Sequence, residues 1–190
     1  MTPALKHCTQ QDNDTSNDCA WACFWMLKYH YTGSSPSIRQ LATKYGRVNQ
    51  FTTVAQLVNG LNAEGVTAKN TREATFDWYL GKWAAGVPVI ALLAMHVVSD
   101  NDGYPWAHFA IVTGVTEGRV TIYNPLKRQG PTTIPVEEFK RAISTPSRFV
   151  GGTNYPAQAV YPIVPLSAPI PLFASAIDAV AARVRLEATG

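Results

Sequence analysis

The chain has 190 residues, of which 46% are hydrophobic and only 15% charged, and its formal net charge at pH 7 is +3. This composition excludes a disordered chain, a coiled coil and a collagen-like repeat. The length fits one domain with at most a short appendage. The basic residues form no run, so we expect no nucleic-acid partner.

Two long uncharged stretches, 83–99 and 149–177, are candidates for a membrane span. The first is too short to span comfortably, and the second contains five prolines, which would remove backbone donors from a helix. The N-terminal segment also lacks the apolar core of a signal peptide. We therefore expect a soluble protein without a membrane span, located in the cytoplasm or delivered by a non-classical route.

Four helices are predicted in the first half of the chain. The first follows a polar segment and runs from Ala20 to about Tyr31; Asp18 or Asn17 can cap it, and Gly33 ends it. Apolar residues occur on all its sides, so this helix should be buried at the centre of the domain. Three further helices are predicted at 35–46, at 53–65, where the start has capping-box spacing, and at 72–85.

The hydrophobic period changes after residue 87, where strands are predicted at 87–93, 107–115, 119–123 and 157–164, with a short helix at 136–143. Helices followed by an antiparallel sheet indicate an α+β fold, which we assign to residues 1–165. Residues 166–190 are predicted to form a proline-rich linker and a C-terminal amphipathic helix. That helix is expected to dock on its own domain, on a second copy of the chain or on an adjacent module.

Cys19 lies in the first turn of the predicted central helix. A helix N-terminus lowers the pKa of a thiol, which favours a reactive Cys19. The alternative is that Cys19 is a small buried hydrophobic residue. For Cys23, one turn later, the core interpretation is favoured. With Cys8 the chain has three cysteines, so at least one thiol is expected to be free.

His108 interrupts an apolar strand, and Asn124 ends the next strand along the chain. Antiparallel pairing of the two strands would bring the Asn124 amide beside the imidazole. His108 could instead be a core histidine bonded to a backbone carbonyl, and an asparagine before a proline is also an ordinary turn residue. Together with Cys19, however, the two residues match a Cys–His–Asn arrangement for nucleophilic catalysis.

The sequence resembles the papain-like cysteine peptidases, in particular the small bacterial and phage type related to bacteriocin (double-glycine leader) processing domains. The resemblance covers roughly residues 8–165. Its motifs are Gln11, Asn-Asp-Cys-Ala-Trp-Ala-Cys at 17–23, Gly-Val-Pro-Val-Ile at 86–90, Trp-Ala-His-Phe-Ala-Ile-Val-Thr-Gly at 106–114 and Tyr-Asn-Pro at 123–125.

The resemblance implies a papain-like fold with Cys19 as nucleophile, His108 as general base and Asn124 as the residue that orients the imidazole. It also implies an upstream side-chain amide in the oxyanion hole. Gln11, eight positions before Cys19, is preferred, although the family usually has this glutamine closer to the cysteine. Gln10 and Asn13 remain alternatives.

Other candidate sites carry weaker signals. Trp106 could form a wall of the substrate cleft, with the acidic loop 100–102 favouring a basic peptide, or it could be a core residue. A zinc site made of cysteines and a histidine is disfavoured because the spacing lacks a Cys-x-x-Cys knuckle; its members would be Cys8, Cys19, Cys23 and His30. We expect no metal and no cofactor.

The predicted function is a cysteine peptidase or amidase that hydrolyses a peptide or isopeptide bond. A peptide leader, a peptidoglycan peptide and a host protein are all candidate substrates. The alternative is a non-catalytic peptide-binding module on the same scaffold.

Overall fold

The computed structural model describes residues 5–10, 17–46, 48, 50–99, 101, 104–149 and 154–163. Five helices occur in this part of the chain: α1 (Cys19–Thr32), α2 (Ile38–Tyr45), α3 (Val54–Ala63), α4 (Phe76–Ala84) and α5 (Val136–Ser144). The same part contains eight strands: β1 (Ala68–Thr71), β2 (Val89–Ala94), β3 (Ala107–Thr116), β4 (Arg119–Tyr123), β5 (Thr132–Pro135), β6 (Ser147–Arg148), β7 (Asn154–Tyr155) and β8 (Gln158–Pro162).

Six strands form one sheet in the order β1-β8-β2-β3-β4-β5, and all its neighbours are antiparallel. Strands β6 and β7 form a separate two-stranded sheet. The predicted α+β class is therefore confirmed. The long strand β3 pairs with β2 on one side and with β4 on the other, so residues of β3 lie in the middle of the structure.

Helices cover both faces of the large sheet. Successive side chains of a strand point to opposite faces, and the buried residues accordingly divide into two clusters. One cluster joins α1, α2 and α3 to side chains such as Leu92, Phe109 and Ile111. The other joins α4 and α5 to side chains such as Ala91, Ala110 and Val112. The sheet is thus the middle of three layers.

Helix α1 is the central helix that the sequence predicts, since nine of its 14 residues are buried. It ends at Gly33, whose φ of 74° is the left-handed conformation that favours glycine. The two largest of its fully buried side chains, Trp21 and Phe24, lie close to the backbone of neighbouring helices. A Cβ on Gly46 would lie 2.6 Å from Trp21 Cζ2, and a Cβ on Gly60 would lie 2.8 Å from Phe24 Cε2. Glycine at both positions lets α2 and α3 pack tightly on α1.

Most helices begin directly after a capping residue, and two of the predicted starts need correction. Thr53 and Gln56 form the predicted capping box of α3. Asp18 occupies the N-cap position of α1, but its side chain makes no capping hydrogen bond there. Helix α2 begins at Ile38, two residues later than Pro36 suggested, because Ser37 and Gln40 form a second capping box.

Short strands were the main errors of the sequence-based prediction. Helix α4 begins at Phe76 rather than near residue 72, because residues 68–71 form β1 and pair with β8. Strand β5 and the small β6–β7 pair were not predicted either. The predicted C-terminal helix lies outside the described residues. Among those that are described, no helix is long and apolar enough to cross a membrane.

Candidate active site

Cys19 is the first residue of α1, and its sulfur lies against strand β3. The backbone N–H groups of Phe109 and Ala20 donate hydrogen bonds to the sulfur. Phe109 directly follows His108, so the packing of α1 on β3 brings the thiol next to the strand position that carries the imidazole. The residue as a whole keeps partial solvent exposure. None of the three cysteines, Cys8, Cys19 and Cys23, is in a disulfide.

The imidazole of His108 is fully buried and contacts Asn124. The antiparallel pairing of β3 with β4 places Ile111 opposite Tyr123, so the residue after β4 lies close to the start of β3. There, Asn124 Oδ1 lies 2.8 Å from His108 Nε2. This contact is the one that the spacing of the two strands predicts.

A second hydrogen bond to Asn124 identifies which nitrogen of the His108 ring carries the proton. The backbone N–H of Leu126 donates to Asn124 Oδ1 over 2.9 Å, which identifies this atom as the amide oxygen. The oxygen accepts, so Nε2 of His108 must be the protonated, donating nitrogen. In the neutral ring Nδ1 is then unprotonated. This atom is buried and has no hydrogen-bond partner among the described residues, so its lone pair is available to accept a proton.

Burial acts against the charged forms of both groups. Desolvation raises the pKa of Cys19 to about 11, although the N–H groups of Phe109 and Ala20 oppose the rise; the charge of Asp18 adds to it. Desolvation also lowers the pKa of His108 to about 4, although the hydrogen bond that Nε2 donates to Asn124 opposes this fall. Burial therefore favours the neutral thiol and the neutral imidazole over their charged forms.

The expected lowering of the Cys19 pKa is thus wrong in sign. The helix N-terminus does provide N–H donors, as the position in the sequence suggested. Removal of water from the sulfur by the packing of α1 on β3 has the larger effect. This packing joins distant parts of the chain and leaves no local signal in the sequence around Cys19.

Tyr104 is a residue of the site that the sequence did not indicate. Its ring meets the His108 ring edge-on, with centroids 5.6 Å apart. Burial, together with the nearby Cys19 sulfur, raises the pKa of the Tyr104 phenol to about 12. The backbone N–H of Tyr104 donates to Asn101 O over 2.8 Å. Tyr104 therefore lies close to both His108 and Cys19, and the sequence around it carries no periodic pattern that would indicate this position.

Of the oxyanion-hole candidates, only Gln10 is described; Gln11 and Asn13 lie outside the described residues. Gln10 is 3% exposed, and its backbone N–H donates to Pro125 O over 3.1 Å. Because Pro125 follows Asn124, this bond anchors the N-terminal segment beside the imidazole. The bond from His7 Nε2 to Lys127 O, at 2.6 Å, holds the same segment.

Trp106 lies two residues before His108, directly before β3, and is partly buried. Of the acidic loop at 100–102, only Asn101 is described. Within the described residues, no group of three or more histidines, cysteines and acidic residues could hold a metal ion.

The chain is similar to known peptidases of one family. The model of the Peptidase C39 family matches residues 6–145. A solved structure described as a C39-like peptidase from Bacillus anthracis has 15% sequence identity and a TM-score of 0.63, covering 85% of this chain and 95% of that one. The peptidase domain of Streptococcus ComA, described as a bifunctional ABC transporter, has 17% identity and a TM-score of 0.58, covering 84% and 99%.

A third structure, a double glycine motif protease from an AMS/PCAT transporter in complex with the leader peptide, has 18% identity and a TM-score of 0.52. The match covers 77% of this chain and 84% of that one. No curated protein matches the chain significantly. Since the family model spans most of the chain and the neighbours share its fold, this protein belongs to the Peptidase C39 family and is a papain-like, cysteine-type peptidase.

Proposed function

We propose that this peptidase hydrolyses an amide bond of an extended peptide with Cys19 as nucleophile, His108 as general base and Asn124 as the orienting residue. The proposal rests on the different surroundings of the two nitrogens of the His108 ring. Nε2 is committed to Asn124, while Nδ1 is buried without a partner among the described residues. Next to it in the chain, the N–H of Phe109 holds the Cys19 sulfur.

In the proposed reaction the thiol proton moves to Nδ1 of His108 as the Cys19 sulfur attacks the carbonyl carbon. Because burial disfavours both charged forms, proton transfer accompanies attack and no ion pair stands ready beforehand. The imidazolium then gives its proton to the leaving amine as the carbon–nitrogen bond breaks. Water then attacks the carbonyl carbon of the acyl group while Nδ1 takes its proton. The carbon–sulfur bond breaks, the acid is released, and the imidazolium returns the proton to the Cys19 sulfur.

The oxyanion of the tetrahedral intermediate needs hydrogen-bond donors. We assign this role to the Cys19 backbone N–H and to an upstream side-chain amide, with Gln11 or its neighbour Gln10 as the donor. The anchoring of Gln10 at Pro125 favours a donor from this segment. Trp106 is proposed as a wall of the cleft, since it lies directly before β3 and two residues before His108.

The proposed substrate is a peptide, and three classes remain candidates: a peptide leader, a peptidoglycan peptide and a host protein. One of the neighbouring structures is a protease in complex with a leader peptide, which makes leaders a natural first test. Membership in a peptidase family favours hydrolysis over the non-catalytic peptide-binding module. The proposal also keeps residues 1–165 as the peptidase domain and residues 166–190 as a proline-rich linker and C-terminal amphipathic helix.

Substitutions of Asn124 test whether this residue orients the His108 imidazole. Asn124→Ala removes the acceptor of the Nε2 proton, and we expect kcat/KM to fall about 100-fold because the imidazole loses its orientation and tautomer. Asn124→Asp keeps an acceptor for both His108 and Leu126. It should retain more activity, while its negative charge raises the His108 pKa and shifts the acidic limb of the pH–rate profile upward.

The measurement is the pH dependence of kcat/KM on a peptide substrate, with the thermal midpoint of each variant as a control for folding. If both exchanges changed only the thermal midpoint and left the pH profile unaltered, Asn124 would be a turn residue and the proposed triad would be wrong.

A further inference from the structure

The first turn of α5 holds the segment that follows β2. Both carboxylate oxygens of Glu138 contact Ser99: the Ser99 backbone N–H donates to Oε2 over 3.0 Å, and the Ser99 hydroxyl lies 2.8 Å from Oε1 and 3.0 Å from Oε2. Hydrogen bonds to an ionised acceptor are stronger than those between neutral groups. Ser99 is therefore tied to α5 through its side chain and its backbone at once.

The negative charge that strengthens this contact is present at neutral pH. The Ser99 hydrogen bonds lower the pKa of Glu138, the positive charges of Arg141 on α5 and Arg119 on β4 act in the same direction, and partial burial opposes them. Glu138 also lies in the first turn of α5, where the helix dipole favours an anion. The carboxylate is therefore ionised at pH 7.

Further hydrogen bonds connect this anchor to Tyr104. The Asn101 side-chain N–H donates to Met95 O over 3.1 Å, and the Tyr104 backbone N–H donates to Asn101 O over 2.8 Å. Met95 is itself buried, in the same cluster as Phe139 of α5. The contacts that begin at Ser99 and Met95 thus place the backbone of Tyr104 relative to α5.

Tyr104 and His108 differ in exposure although their rings are in contact. The Tyr104 ring is partly exposed, whereas the His108 ring, which it meets edge-on at a centroid distance of 5.6 Å, is fully buried. A partly exposed ring packed on a fully buried one lies between that ring and the solvent on the side of the contact. Loss of water is also the main cause of the lowered pKa of His108. The uncharged imidazole is the form that can accept the thiol proton.

We propose that Glu138 is a positioning residue of the peptidase site: its carboxylate holds Ser99, and the segment before β3 thereby keeps the Tyr104 ring against the His108 imidazole and water away from it. The inference rests on the proposed function, which assigns the role of general base to His108. Glu138 acts through Ser99 and Tyr104 rather than on the reacting atoms. Loss of its carboxylate should therefore change the protonation of the base and the rate of the reaction.

The test compares Glu138→Ala with Glu137→Ala in the full-length protein. Glu137 is the neighbouring acid of the same turn, and its carboxylate lies 2.8 Å from Lys140 Nζ, so Glu137→Ala removes an equal charge without removing a contact to Ser99. The measurement is an NMR titration of the His108 imidazole, whose signals are assigned with His108→Gln. We expect the pKa of His108 to rise from about 4 to above about 5 in Glu138→Ala and to stay unchanged in Glu137→Ala.

Peptide hydrolysis and further variants give a second measurement. In Glu138→Ala, kcat/KM should fall about tenfold, mainly through kcat, because the base is disturbed rather than the binding of the peptide. Glu138→Gln keeps an acceptor for the Ser99 N–H and should lie closer to the wild type. Tyr104→Phe keeps the ring and should leave the pKa of His108 unchanged, whereas Tyr104→Ala should raise this pKa as Glu138→Ala does.

Thermal denaturation separates positioning from stability. A lower thermal midpoint in Glu138→Ala with the His108 pKa of the control would mean a merely structural role and would overturn the inference. If the wild type cleaves no peptide, the proposed function fails, and the NMR titration, which needs no substrate, still decides the role of Glu138. Should Glu138→Ala not fold, Ser99→Ala removes only the hydroxyl contacts. A smaller rise of the His108 pKa in that variant would support the inference, and no rise would overturn it.

Discussion

Replacement of Cys19 by alanine is expected to lower the hydrolysis of a peptide substrate by about 10⁴-fold or more, with little change in stability. The sulfur forms and breaks the acyl bond in the proposed reaction, so nothing in the site replaces it. Cys19 is partly exposed and stands at the end of α1 rather than in the middle of the core. We therefore expect the free energy of unfolding to change by less than about 1 kcal/mol.

Cys23→Ala is the matched control, one helical turn further along α1. Cys23 is completely buried, and burial together with the neighbouring thiols raises its pKa well above the ordinary value. Its loss should leave a small cavity and cost about 1–2 kcal/mol of stability while activity is kept. Activity assays and thermal denaturation of the two variants distinguish the roles. The opposite pattern, with activity surviving in Cys19→Ala, would make Cys19 a packing residue.

The second large effect concerns His108 and the dependence of stability on pH. The pKa of the buried imidazole is lowered from 6.5 to about 4 by desolvation. Between pH 6.5 and 4 the unfolded chain therefore binds a proton that the native protein does not bind. The free energy of unfolding must fall as the pH falls through this window, by about 3 kcal/mol in total from this residue.

The variant His108→Gln isolates this contribution from the carboxylates that titrate in the same range. Urea denaturation at pH 7 and at pH 4 should show a decrease in stability that is smaller by about 3 kcal/mol in His108→Gln than in the wild type. Equal decreases in the two proteins would mean that His108 is solvated or already charged in the native state. That result would contradict the conclusion that the His108 imidazole is buried and uncharged in the native protein.

Local signals in the sequence were sufficient to predict that the five helices exist and that β3 pairs with β4, which brings Asn124 near His108. Helix α3 begins at its capping box, α1 ends at its left-handed glycine, and β3 and β4 are joined by a turn at Glu117 and Gly118, which fixes their pairing. A register shift between Val112 and Gly114 changes the pairing by one residue before it reaches Asn124, so the turn brings the two strands together but does not by itself set the position of the amide.

Features that depend on distant parts of the chain could not be predicted. Strand β1 has the sequence Ala-Lys-Asn-Thr, which is mostly polar, and becomes a strand only by pairing with β8 at the edge of the sheet. The raised pKa of Cys19 results from burial against β3, and Tyr104 reaches His108 from an irregular loop. In each case the deciding contact is tertiary rather than local.

The most direct test of the proposed nucleophile and base is peptide mapping by mass spectrometry after reaction with a peptidyl chloromethyl ketone at pH 7. Since the thiol has a pKa of about 11, its attack at this pH requires Nδ1 of His108 to take the proton. We predict a single adduct on Cys19 in the wild type and almost none in His108→Ala. An adduct on Cys8 or Cys23 instead, or equal labelling of Cys19 without the imidazole, would contradict the proposed pairing.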